Sequence, residues 1–535
     1  MKPECAQAIA KALGREMTEK ELAAVESGIS KSIRQLGAQD PQAVLAMSAE
    51  DRFKRGAQMA AEAVQAEARL KVKRAALSIK AADRIQRFAL TKPDLYTALD
   101  SLLAFKSDGK AGVQSIESQH RAIRDQALGK MLEVFDAAQG KAWGLFSNIE
   151  GVQAIVKELH GQDSGNPQAK AAAKSFAEVS ESLRTRFNSS GGKIGMLEDW
   201  GMPHSHSQRA IAKAGAEKWI ADVMPLLKRD RYTNDDGSRM NDTDLQAFLG
   251  NAYLTIATDG ASKIQPGQAH GSGMRANSGS ESRQIHFADG DAYLKYQQAY
   301  GDKDLLGVLV GHVDRAARDI ALLETLGPNP QHLMTALLDQ GQKDMSSKNP
   351  LLTDKIEGKR KKLEALYKDA SGMRDSAPSQ ALAEGFDTYR SLNVASKLGG
   401  AVLTSITDQG VLSLTAHMNK MPIAKALANE MRMLNPLDAG DRRAAQRAGL
   451  GINQMLGTLH RFNADGLGGQ LAVSSSVAKY SQAIASKVLG LSGMNAWTAA
   501  SQRGFAVTML DTIGDMTRRH ESLYAMDQHD AKRLR

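Results

Sequence analysis

The sequence predicts a mainly α protein with a multi-helical, elongated or bundle-like architecture, long loops and little sheet. Apolar residues recur at steps of three and four over long stretches, which is the period of an amphipathic helix. Long segments are rich in Ala, Lys, Arg and Glu and contain neither Gly nor Pro. Runs in which β-branched and polar residues alternate are few, so a large sheet is not expected.

Residues 1–190 form the first predicted region, a succession of helices. One helix follows Thr18, and a second start is marked by the Asp-Pro pair at Asp40. Residues 60–88 predict a long helix or a helical hairpin with one moderately apolar stripe. The breakers GQDSGNP and NSSGGKIG then separate short helices, and the second breaker marks the first domain boundary.

The second predicted region, 191–335, is dense in unusual motifs. A helix follows NDTD, with Leu245, Leu249 and Ile256 on one face, and a further helix lies in GHVDRAARDIALLETLG. Between them, residues 261–284 are rich in Gly, Ser and Asn and poor in large apolar side chains, which predicts a mobile loop.

The third predicted region, 336–535, begins with the charged run KIEGKRKKLEALYKD, which is typical of a solvated helix face. Residues 391–419 and 466–504 are then poor in charge and dense in small side chains. This composition favours tightly packed helices of the core, with contact to other subunits or to a bilayer as the alternative.

Length, charge and cysteine usage limit the class of protein. The 535 residues are enough for a substantial core, and the single Cys5 excludes an internal disulfide. We find neither a signal peptide nor an uncharged run of roughly 20 apolar residues, so we expect a protein made in solution in a reducing cytoplasm. The net charge of +9 is spread along the chain, which favours tolerance of DNA or anionic lipid over a dedicated nucleic-acid reader.

The motif PHSH raises the question of a metal site. In an extended backbone His204 and His206 point to the same side, and two neutral imidazoles so placed can bind one divalent metal. Further ligands would have to come from the same region: His286, His312, Asp289, Asp291 and Asp314. Hydrogen-bonded structural histidines are the simpler interpretation, because nothing in the spacing makes these groups converge.

The helix around His312 offers a second chemical interpretation. Asp314 with Arg318, and Arg315 with Asp319, are four residues apart and are suited to ion pairs along the helix. A general acid and base pair of His312 and Asp319 needs more assumptions. Phosphate loops, dinucleotide fingerprints, H-E-x-x-H and G-x-S-x-G are all missing from the sequence, which disfavours the standard enzyme classes.

The succession WGMPHSHS, DVMPLLKRDRY, TIATDG, RQIHFADGDAYLKYQQAYG and GHVDRAARDIALLETLGPNP resembles a family of phage internal virion or ejection proteins, which also occur as regions of large polyvalent phage proteins. The resemblance runs from about Leu197 to Pro330 and extends more loosely to the end. Its motif positions are Trp200, Pro203, His204, His206, Arg283, His286, His312 and Asp319. The resemblance assigns none of them a catalytic role.

The resemblance implies a virion protein that is made in the bacterial cytoplasm, stored inside the capsid and delivered to the host envelope on infection. Its implied partners are other copies of itself, the portal or other internal virion proteins, phage DNA and the host membrane, and it implies no cofactor. Two alternatives stay open. One is a metal-dependent hydrolase of nucleic acid or cell wall that uses the histidine-rich region, and the other is a helical scaffold region of a larger polyvalent protein.

Overall fold

The computed structural model describes residues 18–104, 115–136, 149–197, 201–258, 274–279, 283–301, 305–348 and 350–373, with scattered positions between 422 and 518. Within these ranges the regular structure is helical, and extended pairing is limited to two isolated bridges, Leu227 with Phe287 and Thr233 with Arg239. The prediction of a mainly α fold with little sheet is therefore confirmed.

The helices are numbered in chain order over the described residues. The first seven are α1 (Glu19–Gln39), α2 (Pro41–Ala46), α3 (Ala49–Ala89), α4 (Leu95–Leu103), α5 (Ile116–Asp136), α6 (Ile149–Leu159) and α7 (Pro167–Ser189). The others are α8 (Gln208–Ala214), α9 (Ala216–Val223), α10 (Asp242–Ala257), α11 (Gly290–Tyr300), α12 (Leu305–Leu326), α13 (Pro330–Lys348) and α14 (Thr353–Ser371).

Local capping explains several of these boundaries. The Asp40 carboxylate accepts the Ala43 N–H at 2.9 Å and begins α2 where the sequence predicted a start. Asn166 accepts the N–H groups of Gln168 and Ala169 and begins α7 at the end of the predicted breaker. The helix after that breaker has 23 residues, so the prediction of short helices was wrong for α7.

Helix α3 is one continuous helix of 41 residues, not a hairpin. Its first half packs on α1 in a small core of Val25, Ile29, Ile33, Ala57, Ala60 and Ala61. Gly56 allows this close approach, because a Cβ there would lie 2.7 Å from Cγ1 of Ile33. At a rise of about 1.5 Å per residue, α3 is about 60 Å long and connects this small core to the main one.

The main hydrophobic core is centred on α5, α7 and α12, which pack against one another. Phe176 of α7, Leu128 of α5 and Val313 of α12 are among its fully buried side chains. All three predicted regions contribute residues to this core, since Leu363 of α14 also belongs to it. The domain boundaries near 190 and 335 stay predictions.

Part of the predicted mobile loop 261–284 is firmly held. Residues 275–277 form a 3-10 turn in which Ala276 is completely buried. The Ala276 N–H donates to the Pro328 carbonyl at 3.1 Å, and the Ala276 carbonyl accepts from the buried Arg74 of α3 at 3.1 Å. These contacts tie the turn to α3 and to the end of α12, while 261–273 and 280–282 lie outside the described residues, and the mobility of the loop stays a prediction.

The small-residue segments 391–419 and 466–504 fall outside the described residues, apart from Gly504. The charged run before them does form the predicted helix, α14, whose exposed Lys361 and Glu357 pair at 2.7 Å. Among the helices of the described part, none is both long enough and apolar enough to cross a membrane.

Candidate functional site

The two histidines of PHSH lie in a segment without regular secondary structure, 201–207, that leads into α8. Gly201 begins it with a φ of 64°, and a Cβ at this position would lie 2.6 Å from Nε2 of His160. Only glycine fits such a conformation and such a close approach. The segment is anchored because the Pro203 carbonyl accepts the Tyr293 hydroxyl at 2.8 Å.

Helix α11 supplies the surface against which this segment packs. Asp289 caps the helix by accepting the Ala292 N–H at 2.8 Å. Tyr293, Tyr296 and Tyr300 follow at steps of three and four, so they share one face, and all three are buried. Two of these rings contact the histidines, Tyr293 against His204 and Tyr296 against His206.

His204 is packed between aromatic rings. Its ring centroid lies 5.0 Å from that of Phe287 and 5.9 Å from that of Tyr293. Its Nε2 atom is buried without a hydrogen-bond partner. Burial, followed by the positive charge of Arg283, lowers the pKa of His204 well below its usual range, so the imidazole is neutral near pH 7.

His206 lies beside it, with the two imidazole centroids 6.0 Å apart. Its Nδ1 atom shares a hydrogen bond of 2.8 Å with the Tyr296 hydroxyl. Burial and the charge of Arg283 lower the pKa of His206 to about 4. We call this group of contacting rings the aromatic–histidine cluster: His204, His206, Phe287, Tyr293 and Tyr296.

His286 and Arg283 close one side of the cluster. Nε2 of His286 must carry a proton, because it donates to the Arg283 carbonyl at 2.8 Å. The Arg283 guanidinium donates to the Met202 carbonyl at 2.8 Å and so ties residues 283–287 to the PHSH segment. The backbone N–H of His286 donates to the Tyr232 hydroxyl at 2.9 Å.

His312 lies on α12, where its ring packs 6.1 Å from the ring of Phe176, measured between centroids. Burial is the main cause that lowers the pKa of His312 to about 4, and the charges of Arg315 and Arg283 add to it. Arg283 therefore acts electrostatically on His204, His206 and His312 alike. The ring contacts place His312 against α7, whereas His204 and His206 belong to the aromatic–histidine cluster.

Asp319 does not form the predicted ion pair with Arg315. Its buried carboxylate instead accepts Nε and Nη2 of Arg275 at 2.7 and 2.6 Å. Arg275 also donates to the Ser371 carbonyl at 2.8 Å, so one guanidinium joins the 3-10 turn, α12 and α14. This pairing assigns Asp319 a structural contact and disfavours its role as the partner of His312 in acid and base chemistry.

The carboxylates considered as further metal ligands also have other partners. Asp289 caps α11, and Asp291 pairs with Lys157 at 2.9 Å. Asp314 forms the predicted pair with Arg318 at 2.6 Å and a second one with His120 of α5 at 2.9 Å. Over the ranges that the structure covers, no group of three or more His, Cys, Asp and Glu side chains is arranged to hold a metal ion.

Trp200 of the motif lies outside the described residues, whereas the other motif positions are all described. Sequence reasoning did not single out the tyrosines of α11 or Arg275, although the spacing of the tyrosines was a usable signal. The arrangement joins neutral imidazoles, phenols and a guanidinium into a packed core.

Neither the family models, nor the curated proteins, nor the solved structures contain a match to this chain.

Proposed function

We propose that this chain is a phage internal virion protein, an ejection component that assembles with copies of itself and with portal or other internal proteins and helps phage DNA cross the host envelope. The observation that carries the proposal is the structural role of the motif residues. The motif side chains that the structure describes are packed or hydrogen-bonded within the fold, as expected for a protein that acts through assembly.

The contacts of the individual histidines support assembly over bond chemistry. His206 bonds to Tyr296 and His286 bonds to the Arg283 carbonyl, so each ring has a structural partner. A general base near pH 7 works best with a pKa close to 7, whereas burial lowers the pKa of His206 to about 4. The His206 imidazole is therefore poorly suited to proton transfer in neutral solution.

Helical construction also suits passage through a narrow channel. A helix forms its backbone hydrogen bonds between residues four apart, so a helical unit that has been pulled open regains them without long-range pairing. Helical folds consequently reassemble faster than folds built on large sheets. Storage in the virion interior and release to the host envelope follow from the proposed role.

The first experiment is mass determination by light scattering on the purified full-length chain, with elemental analysis, in the presence and absence of anionic liposomes. The proposal expects defined oligomers, or docking on liposomes, and no stoichiometric transition metal. A monomer that carries one tightly bound metal and ignores lipid would overturn it.

A metal-dependent hydrolase is the second candidate, and one observation favours it: Nε2 of His204 is buried without a hydrogen-bond partner. A divalent metal would satisfy that atom. The candidate predicts that His204→Phe abolishes both metal content and hydrolysis of DNA or peptidoglycan. Unchanged metal content in that variant, or no hydrolysis by the wild-type protein with added Zn²⁺, Mn²⁺ or Mg²⁺, would eliminate it.

A further inference from the structure

The second half of α3 has two opposite faces with different surroundings. One face is buried against the main core and includes Arg74, Ala81 and Ile85. At about 100° per residue, Val72 and Ile79 lie on the far side of the helix. Their exposed fractions are 72% and 71%, which is high for large aliphatic side chains and leaves an apolar stripe outside the core.

The stripe has the spacing of a helix-pairing seam. Val72 and Ile79 are seven residues apart, and Ala68, Ala75 and Ala82 occupy the intervening positions of the same seven-residue pattern. Large residues at one seam position and alanine at the other allow a second helix to approach closely. One apolar stripe of this width can pair with one partner helix.

The flanks of the stripe are positively charged. Residues 69–87 contain seven Lys and Arg residues and a single acid, Asp83. Part of this charge is used within the fold: the Arg84 guanidinium donates to the Thr325 carbonyl at 2.8 Å, and Arg87 pairs with Asp83 at 2.9 Å. Arg69, Lys71 and Lys80 are exposed beside the stripe.

We infer that this outward face of α3, which we call the α3 stripe, is a docking site for an acidic amphipathic helix of another protein. The apolar seam of that helix would cover Val72 and Ile79, and its flanking carboxylates would face Arg69, Lys71 and Lys80. In heptad pairing, charges beside the seam select the partner, so the basic flanks require an acidic one. The inference does not depend on the proposed virion role.

Other occupants fit the α3 stripe less well. A second copy would bring the same basic flanks against one another, which costs free energy. Double-stranded DNA would be bound through the cations and would gain nothing from Val72 and Ile79. Helices that lie on bilayers are rich in Trp, Phe and Leu on the buried face, whereas the centre of this stripe holds one Val, one Ile and alanines.

The probe is a designed peptide of about four heptads with Leu at the seam and Glu on both flanks, labelled for fluorescence anisotropy. The full chain is titrated against it at low and high salt. We expect saturable binding that weakens with salt, and no binding of a matched peptide with Lys in place of Glu. Two variants separate the contributions: Val72→Ser with Ile79→Ser, and Arg69→Gln with Lys71→Gln and Lys80→Gln.

Each variant should weaken binding by at least about tenfold. The matched control replaces exposed leucines elsewhere, Leu45→Ser with Leu254→Ser, and should bind like the wild type. Circular dichroism spectra must agree among all four proteins, as the exposure of these side chains predicts. Unchanged binding by the Val72 and Ile79 variant would overturn the inference. So would duplex DNA or phosphatidylserine vesicles that bind the wild type through the same residues while the acidic peptide does not.

Discussion

At the scale of single residues, His204 is the most informative position. Its Nε2 atom is buried without a hydrogen-bond partner, and this costs free energy. An unsatisfied buried nitrogen destabilises a fold by about 1–3 kcal/mol. His204→Phe keeps a ring of similar shape against Phe287 and removes that nitrogen. We expect the free energy of unfolding in urea to rise by about 1 kcal/mol.

The neighbouring His206 is the matched comparison. His206→Phe also exchanges an imidazole for a ring, but it removes the hydrogen bond to Tyr296 and leaves a buried phenol without it. The free energy of unfolding should fall by about 1–3 kcal/mol. Equal effects of the two substitutions would contradict this assignment of contacts.

Asp319 and Arg275 form the second informative pair. Asp319→Asn leaves the Arg275 guanidinium without its counter-charge in a largely buried position, where removal of one partner costs about 3 kcal/mol. Thermal and urea unfolding measure the loss. The control is Glu357→Gln, which breaks an exposed pair with Lys361 and should leave the stability close to that of the wild type. A small effect at Asp319 would mean that the pair does not stabilise the fold.

At the scale of helices, two glycines in helix interiors differ in their surroundings. A Cβ at Gly341 of α13 would lie 2.5 Å from the ring of Tyr96, while one at Gly358 of α14 would meet nothing within 4 Å. Gly341→Ala should lower the free energy of unfolding by about 1–3 kcal/mol through overpacking. Gly358→Ala should raise it by about 0.5–1 kcal/mol through helix propensity. Stabilisation by both would show that Tyr96 moves aside freely.

Helices were the part of the fold that sequence reasoning predicted well, because periodicity and caps are local signals. Asp40 and the breaker before α7 act where they were expected to. The 3-10 turn at 275–277 was missed, since its order comes from Arg74 and Asp319, which are distant in the sequence. The amino-acid composition of the segment cannot predict contacts with residues so distant in the sequence.

The candidate site was predicted only in part for the same reason. The sequence singled out His204 and His206, and the structure places their rings 6.0 Å apart. It could not indicate that Tyr296 would occupy Nδ1 of His206, because that contact depends on how α11 packs against the PHSH segment. Histidine spacing alone therefore does not distinguish a metal site from structural contacts, because packing decides which atoms the ring nitrogens meet.

At the scale of the whole molecule, the main core joins segments that are far apart in the chain, and charged residues connect them. Arg186 of α7 forms two hydrogen bonds with Glu324 of α12, at 2.7 and 2.9 Å. Arg74 of α3 donates to the Gly191 carbonyl at 2.8 Å. Because these contacts link α3, α7 and α12, a substitution that disrupts the core at one of these helices should destabilise the others as well.

Two half-buried, neutral histidines make the stability of the described fold dependent on pH. Burial lowers the pKa of both His206 and His312 from 6.5 to about 4 in the folded protein, while the unfolded chain keeps the ordinary value. Between these values the unfolded state binds more protons, so stability is complete above about pH 6.5 and falls as the pH decreases towards 4. At about 1.4 kcal/mol per pKa unit, the loss amounts to several kcal/mol.

We therefore expect the urea midpoint to decrease steeply between pH 7 and pH 5, a range in which most carboxylates are still ionised. The variant His312→Phe, which keeps a ring against Phe176, should flatten this slope, because a phenyl ring binds no proton in either state. Substituting His332, an exposed histidine at the start of α13, should leave the slope unchanged. A wild-type midpoint that is constant from pH 7 to pH 5 would contradict the neutral state of these histidines. Acid would then have to act on this fold through its carboxylates alone.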